Sequence, residues 1–265
     1  MIGDVVGDPG LTVLENRLPH ILKEYSADFV TVNGENAAAG FGLLPEQLGR
    51  IFAAGADAVT SGNHIWEKRE FWPVLDSENR VLRPLNYPKG CSGRGWAEFE
   101  KSSPWGGEPI HWLVINLQGR EFMNPIDCPF RAFDDLERGL HETFMSKQII
   151  LVDFHAESTR EKEALAYYLD GRVSVIAGTH THVQTADERL LPKGTAYISD
   201  LGMTGALDSI IGMDTKICLD RARNQVLYRM EVAAPNSGSK TAVQGIIAEI
   251  DGDTGKSVSI KRISA

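Results

Sequence analysis

A chain of 265 residues with 42% hydrophobic side chains can bury a substantial core as one domain over 1–265, and its formal net charge of −9 argues against a stable nucleic-acid partner, since such binding draws on clustered Lys and Arg. Cys91, Cys128 and Cys218 are odd in number and far apart, which excludes a disulfide framework or a thiolate metal cluster and favours a reducing compartment. No apolar run approaches the ~20 residues of a membrane helix, and Met1-Ile2-Gly3-Asp4 does not read as a leader, so a cytoplasmic protein without membrane contact is expected.

Apolar residues at 11, 14, 18, 21, 22 and 25 keep helical spacing, with Pro19 expected to kink or restart the helix. Phe29 to Val32 reads as a strand that delivers Asn33-Gly34-Glu35-Asn36. Pro45 then opens a helix to about Gly55, and Ala58 to Thr60 forms the next strand. The Gly-, Pro- and Trp-rich stretch from Pro84 to Pro109 predicts loops or a small hairpin. His111 to Leu117 is a predicted strand, Asp134 to Met145 a helix, and Ile149 to Phe154 a buried strand ending at His155. Ser158 and Glu161 have capping-box spacing for a helix to Leu169, and Val173 to Ala177 is a further strand. Beyond it, strands are predicted at Thr195 to Asp200, Val226 to Val232, Ala242 to Ile250 and Val258 to Ile263, with turns at Pro235 to Ser239 and Gly252 to Gly255. Two sheets flanked by helices follow from this order.

Asp4, Glu35 with Asn36, Asn63 with His64, His155, and His180 with His182 all fall at predicted strand ends, where α/β proteins collect their chemistry. Each alone reads as a cap, a turn former or a solvated side chain. Together they would place several carboxylates and imidazoles in one core, which is costly unless cations compensate them. His180 and His182 stand two residues apart and, if extended, would face one site. A donor set of oxygen and nitrogen without thiolate suits iron, manganese or zinc.

Several segments resemble one family in order along nearly the whole chain. They are Gly3-Asp4-Val5-Val6-Gly7-Asp8-Pro9-Gly10, Asn33-Gly34-Glu35-Asn36-Ala37-Ala38, Thr60-Ser61-Gly62-Asn63-His64-Ile65-Trp66, Arg83-Pro84-Leu85-Asn86-Tyr87-Pro88, Asp153-Phe154-His155-Ala156-Glu157, Gly178-Thr179-His180-Thr181-His182 and Asp200-Leu201-Gly202-Met203-Thr204-Gly205. The chain resembles the metallophosphoesterases, and within them the YmdB-like 2′,3′-cyclic-nucleotide phosphodiesterases. The resemblance implies a four-layer α/β/β/α sandwich of two mixed sheets and a two-metal site. Asp4, Glu35, Asn36 and His182 would hold one ion, Glu35, Asn63, His155 and His180 the other, with His64 left as an acid. Iron is the foremost expected cofactor, with manganese or zinc as alternatives, and the family likeness also implies a homo-oligomer.

Two features depart from the pattern. Val6 stands where the broad superfamily carries a ligand His in Asp-x-His, and Asn36 is the substitute expected. Only Met1, Ile2 and Gly3 precede Asp4, so the first strand is expected to be short and Asp4 less firmly placed than its partners.

By this analogy the expected reaction is attack of a metal-activated hydroxide on the phosphorus of a small phosphodiester, a 2′,3′-cyclic or 3′,5′-cyclic nucleotide, with His64 protonating the leaving oxygen. The segment Gly119 to Phe130, with Arg120, Phe122 and Phe130, offers a cation and aromatic faces for a base, or else a packed loop. The alternatives are a phosphomonoesterase of the same superfamily, or a metal-stabilised regulatory protein without turnover. Gly255-Lys256-Ser257 lacks the first glycine of a P-loop, Ile250 standing there.

Overall fold

A computed structural model describes residues 1–102, 106, 108–140, 148–234 and 239–265. The chain begins with β1 (Asp4–Val5), α1 (Gly7–Tyr25), β2 (Thr31–Asn33), α2 (Pro45–Ala53), β3 (Ala58–Thr60), a 3-10 turn at Arg69–Phe71 and α3 (Trp72–Ser77). Its middle holds β4 (Trp96–Lys101), β5 (Ile110–Gln118), α4 (Pro129–Leu140), β6 (Gln148–His155), α5 (Thr159–Leu169) and β7 (Val175–Thr179). The last third adds β8 (Arg189–Leu190), β9 (Ala196–Ile198), β10 (Met203–Ala206), α6 (Thr215–Asn224), β11 (Thr241–Ala242), β12 (Gln244–Ile250) and β13 (Ser257–Ser264).

This is a mixed α/β protein with several sheets. The largest runs β4-β5-β6-β7-β9-β8, with β5, β6, β7 and β9 parallel and both edge strands antiparallel. Elsewhere β2 pairs with β3 and β1 with β10 in parallel, while β10 with β11 and β12 with β13 are antiparallel. Ile2 bridges both Val32 and Gly245, tying these pieces together through one residue.

Side-chain alternation along the central strands decides where the chemistry can sit. Leu113, Ile115, Leu117, Ile150, Val152, Phe154 and Ile176 join one apolar cluster with Leu165, Ala166 and Leu169 of α5 and Phe133 of α4. The alternate residues Trp112, Ile149, Leu151, Val175 and Ala177 pack instead with Ile246 of β12. Continuing that second face toward the strand C-termini, the residues become Asn116, Gln118, Asp153, His155 and Thr179, all buried. The seam thus turns from apolar to polar along its length, and its polar end is closed by cross-links. Asn33 Nδ2 donates to Asp153 at 3.1 Å, the Thr60 hydroxyl donates to the same carboxylate, and Ser61 N donates to Asn116 Oδ1 at 2.9 Å.

Several expectations need correction. Of the two expectations for the Gly-, Pro- and Trp-rich stretch, loops or a small hairpin, the hairpin is found in part: the stretch contains strand β4, which pairs antiparallel with β5. Val226 to Val232 is not a strand: α6 precedes it, capped by Asp214, and only Val232 bridges to Met213. Val226 and Leu227 are exposed there and pair with no strand among the described residues. Pro19 does not break α1, which runs through it and starts earlier, at Gly7. Helix α4 starts at Pro129, where proline suits the first turn, whereas residues 141–145 of the expected helix and 235–238 of the expected turn lie outside the described residues. The Ser158 side chain does cap α5 by accepting from Glu161 N, but the Glu161 carboxylate does not return to Ser158. It accepts from Arg120 N and Glu121 N instead, pinning the turn after β5.

Candidate metal centre

Strand ends deliver the residues picked out from the sequence to one place. Asp4 opens β1, Glu35 and Asn36 follow β2, Asn63 and His64 follow β3, His155 ends β6, and His180 and His182 follow β7. The expectation that Asp4 is loosely held is overturned. Its strand is short, but Asp4 is fully buried, its N–H donates to Gly202 O at 3.2 Å, and it pairs with Met203. Pairing on both sides of the segment replaces the length that the strand lacks.

His155 Nε2 lies 2.8 Å from Glu35 Oε1, 3.1 Å from Asn63 Oδ1 and 3.0 Å from His180 Nδ1. One ring nitrogen carries at most one proton, so at most one of these three approaches can be a hydrogen bond from it. Four electron-pair donors therefore converge with too few hydrogens between them, an arrangement that a cation completes. Asp4 Oδ1 and Asn36 Oδ1 are buried without a partner among the described residues, and Asp4 Oδ1 lies 3.9 Å from His182 Nε2. Every one of the expected ligands but Asn63 shows the same division of labour. Its other polar atom is held: Asp4 Oδ2 by His180 N, Glu35 Oε2 by His64 N, Asn36 Nδ2 by Gly40 O, and His182 Nδ1 by Ile211 O. His155 Nδ1 is held by Thr179 Oγ1 and His180 Nε2 by Glu157. Such outer bonds orient metal ligands and fix imidazole tautomers. Because the Thr179 hydroxyl gives its proton to Asp153 Oδ1 at 2.7 Å, it accepts from His155 Nδ1–H and leaves Nε2 to face the site. The residues present thus fit oxygen- and nitrogen-bound cations.

Without a cation, charge pairing fills the gap. Burial opposes ionisation of both His155 and Glu35, yet their mutual charge and hydrogen bond outweigh it, taking His155 up to about 9 and Glu35 down to about 2. Burial raises Asp4 to about 6, and burial with the His155 charge lowers His180 to about 3. His155, raised in the folded state, contributes stability that is complete below its unfolded pKa of ~6.5 and lost as pH rises through about 9; Asp4, also raised, acts in the same direction at lower pH. Glu35, depressed, contributes above its unfolded value and loses that contribution as pH falls through about 2. The melting temperature of the metal-stripped protein is therefore expected to fall between pH ~8 and ~9, since below pH ~8 the buried Met1 amine, lowered to about 5 by burial, acts in the opposite direction to His155; with saturating Mn2+ it rises, because binding displaces the His155 proton. Calorimetry on both forms checks the two slopes.

His64 stands apart from this convergence. Its ring is 25% exposed, with Nδ1 3.4 Å from Glu67 Oε1 and Phe41 edge-on at 5.0 Å. Gly62 makes room for the centre, since a Cβ there would lie 2.1 Å from the His155 ring. The segment after β5 splits. Phe122 is 87% exposed on the turn that Glu161 pins, whereas Phe130, in the first turn of α4 against Tyr168, lines one cavity with Arg120 and Glu121. Sequence reasoning missed Thr179, Asp153, Lys162 and the role of Asp200. Asp153 and Asp200 stand inside quoted motifs, but nothing local distinguishes an orienting carboxylate from a structural one.

Fold and site together define a mixed α/β protein with a thiolate-free set of cation donors at its strand ends. The chain belongs to the family of YmdB-like proteins, whose sequence model matches residues 1–263. It is 44% identical over 99% of its length to the 2′,3′-cyclic-nucleotide 2′-phosphodiesterase of Bacillus subtilis, covering 94% of that protein. Among solved structures it resembles a hypothetical protein from Thermus thermophilus, with a TM-score of 0.88, 40% identity and coverage of 100% and 97% of the two chains. It also resembles a novel phosphatase from Mycoplasma pneumoniae, with a TM-score of 0.89, 31% identity and coverage of 100% and 91%. Among the described residues no helix is long and apolar enough to cross a membrane.

Proposed function

We propose that this protein is a metal-dependent phosphoric diester hydrolase acting on 2′,3′-cyclic nucleotides, and on 3′,5′-cyclic nucleotides as a second substrate class. The carrying observation is the hydrogen-poor convergence of Glu35, Asn63, His155 and His180, beside Asp4 and Asn36 with their unpartnered oxygens. The name of the Bacillus relative supports the same reading, and that of the Mycoplasma structure supports a phosphoester substrate. In this reading the chain is one domain over 1–265 folded as a four-layer α/β/β/α sandwich, cytoplasmic and self-associating.

Asp4, Asn36 and His182 would hold one ion, Asn63, His155 and His180 the other, and Glu35 would touch both. When bound, the pair would supply a nucleophilic water at neutral pH and neutralise charge building at phosphorus. Glu35 and Asp4, each fixed by one oxygen, present the other without reorganising. Thr179 and Asp153 keep the His155 lone pair directed inward. His64, paired through Nδ1 with Glu67, presents Nε2 for proton donation to the leaving ribose oxygen.

Anaerobic purification with metal analysis, then reloading with iron, manganese or zinc separately, tests the assignment on cyclic nucleotides, bis(p-nitrophenyl) phosphate and mononucleotides. Higher kcat/KM on the diesters is expected, with iron best. Preference for mononucleotides would make the protein a phosphomonoesterase, and no turnover at full metal loading would leave a regulatory protein.

A further inference from the structure

Beneath the two-histidine turn lies an ion pair that no step above uses. Lys162, on α5, places Nζ 2.8 Å from Asp200 Oδ2, with the two side chains 2% and 1% exposed. A buried pair of this kind stabilises a fold no better than apolar residues of the same volume, so its presence calls for another reason.

The remaining bonds of Asp200 supply one. Oδ2 also accepts from Thr181 N at 3.1 Å, and Oδ1 accepts from Gly202 N at 2.9 Å. Thr181 lies between His180 and His182, whose φ values of 105° and 63° put both in the left-handed region that non-glycine residues avoid. Strained backbone of this kind persists only where its surroundings over-determine it, and the bond from Asp200 reaches its midpoint. On the other side, Gly202 O accepts from Asp4 N at 3.2 Å. One carboxylate therefore spans the turn carrying His182 and the residue that carries the Asp4 backbone. Lys162 is aimed at it through the space left by Gly178, where a Cβ would lie 2.9 Å from Lys162 Cδ and 1.9 Å from Ser199 O.

We propose that the Lys162–Asp200 pair is a positioning device for one of the two cations, the one bounded by Asp4 and His182, and that it bears less on the ion bounded by Asn63, His155 and His180, which shares only His180 with that turn. The inference rests on the two-ion reading above. Neither residue touches substrate. The asymmetry follows from the bonds: Asp200 reaches the backbone that places both Asp4 and His182, whereas of Asn63, His155 and His180 it reaches only the turn of His180. Asn63 comes from the end of β3, and His155 is oriented by Thr179 and Asp153, not by Asp200.

The test is a Mn2+ titration of metal-stripped protein, read by calorimetry for stoichiometry and by electron paramagnetic resonance for coupling between ions. The double variant Lys162→Met/Asp200→Asn removes both charges at nearly constant volume and leaves no unpaired buried ion. Wild type is expected to bind two Mn2+ with a coupled spectrum. The double variant should bind the first ion normally and the second ~10- to 100-fold more weakly, giving an uncoupled six-line spectrum at one equivalent, with the metal-free melting temperature little changed. Wild-type affinity for both ions would overturn the proposal. So would equal weakening of both, or collapse of the metal-free fold, since either makes the pair a general scaffold element. A wild-type protein that binds two Mn2+ but hydrolyses no diester would refute the assigned substrate and leave this inference standing; one that binds a single ion would refute the two-ion reading itself.

Discussion

The Glu35→Ala protein is expected to retain neither metal ion and to lose turnover by at least ~10³-fold, since metal-derived charge stabilisation is worth several kcal/mol and each 1.36 kcal/mol is tenfold in rate. Glu35 is 1% exposed, with Oε1 against His155 Nε2 and Oε2 accepting from His64 N. In the proposed two-ion centre it would serve both ions, so its removal should empty both sites where loss of a peripheral ligand empties one. Truncation also strands the His64 N–H and leaves His155 without its counter-charge, which costs stability of ~1 to 3 kcal/mol for the orphaned donor alone. Glu35→Gln separates the two effects, because it restores the acceptor for His64 N while weakening metal binding. Metal content by mass spectrometry, alongside the melting temperature of each stripped variant, gives the result. Two tightly bound ions in a folded Glu35→Ala protein would remove Glu35 from the centre.

His64→Ala is expected to behave in the opposite way, keeping both ions while kcat falls by ~10² to 10⁴, the range of general acid catalysis. Its contribution to the centre is made by the backbone, whose N–H holds Glu35 Oε2 at 2.9 Å, and an alanine keeps that bond. Only the imidazole, beside Glu67 and Phe41 at the partly open side, is lost. The loss should be large for an alkoxide leaving group such as a ribose oxygen. It should be small for p-nitrophenolate, which departs without a proton. Equal losses on both substrates, or unchanged turnover of a cyclic nucleotide, would exclude His64 as the acid.

Much of the fold is legible along the chain because it is local. The helix from Leu11 to Tyr25 follows from apolar spacing, although its first turn from Gly7 does not, α2 follows from Pro45, and α5 from the Ser158 cap. Strands β5, β6 and β7 are short apolar runs between turn residues. The failures are also physical. Strand β4 hides in a Gly- and Trp-rich stretch because its pairing with β5, not its composition, makes it a strand. Val226 to Val232 has strand-like composition but pairs with no strand among the described residues. The capping-box spacing at Ser158 and Glu161 is half fulfilled: the hydroxyl caps, whereas the carboxylate finds backbone donors 40 residues away.

Residue type and short-range order are enough to establish the family, the alternation of strands and helices, and the placement of carboxylates, asparagines and imidazoles at strand ends. Which atoms of those residues remain free depends on tertiary structure alone. Asp4 Oδ1 is left without a hydrogen bond among the described residues while Oδ2 is taken by a backbone N–H 176 positions away, and His155 presents Nε2 because Thr179, 24 positions on, holds Nδ1. The same holds for Lys162 and Asp200, which nothing in their neighbourhoods along the chain brings together. Periodicity records which face a side chain takes. The hydrogen-bond pattern of a buried centre depends on partners that only the closing of the sheets makes adjacent.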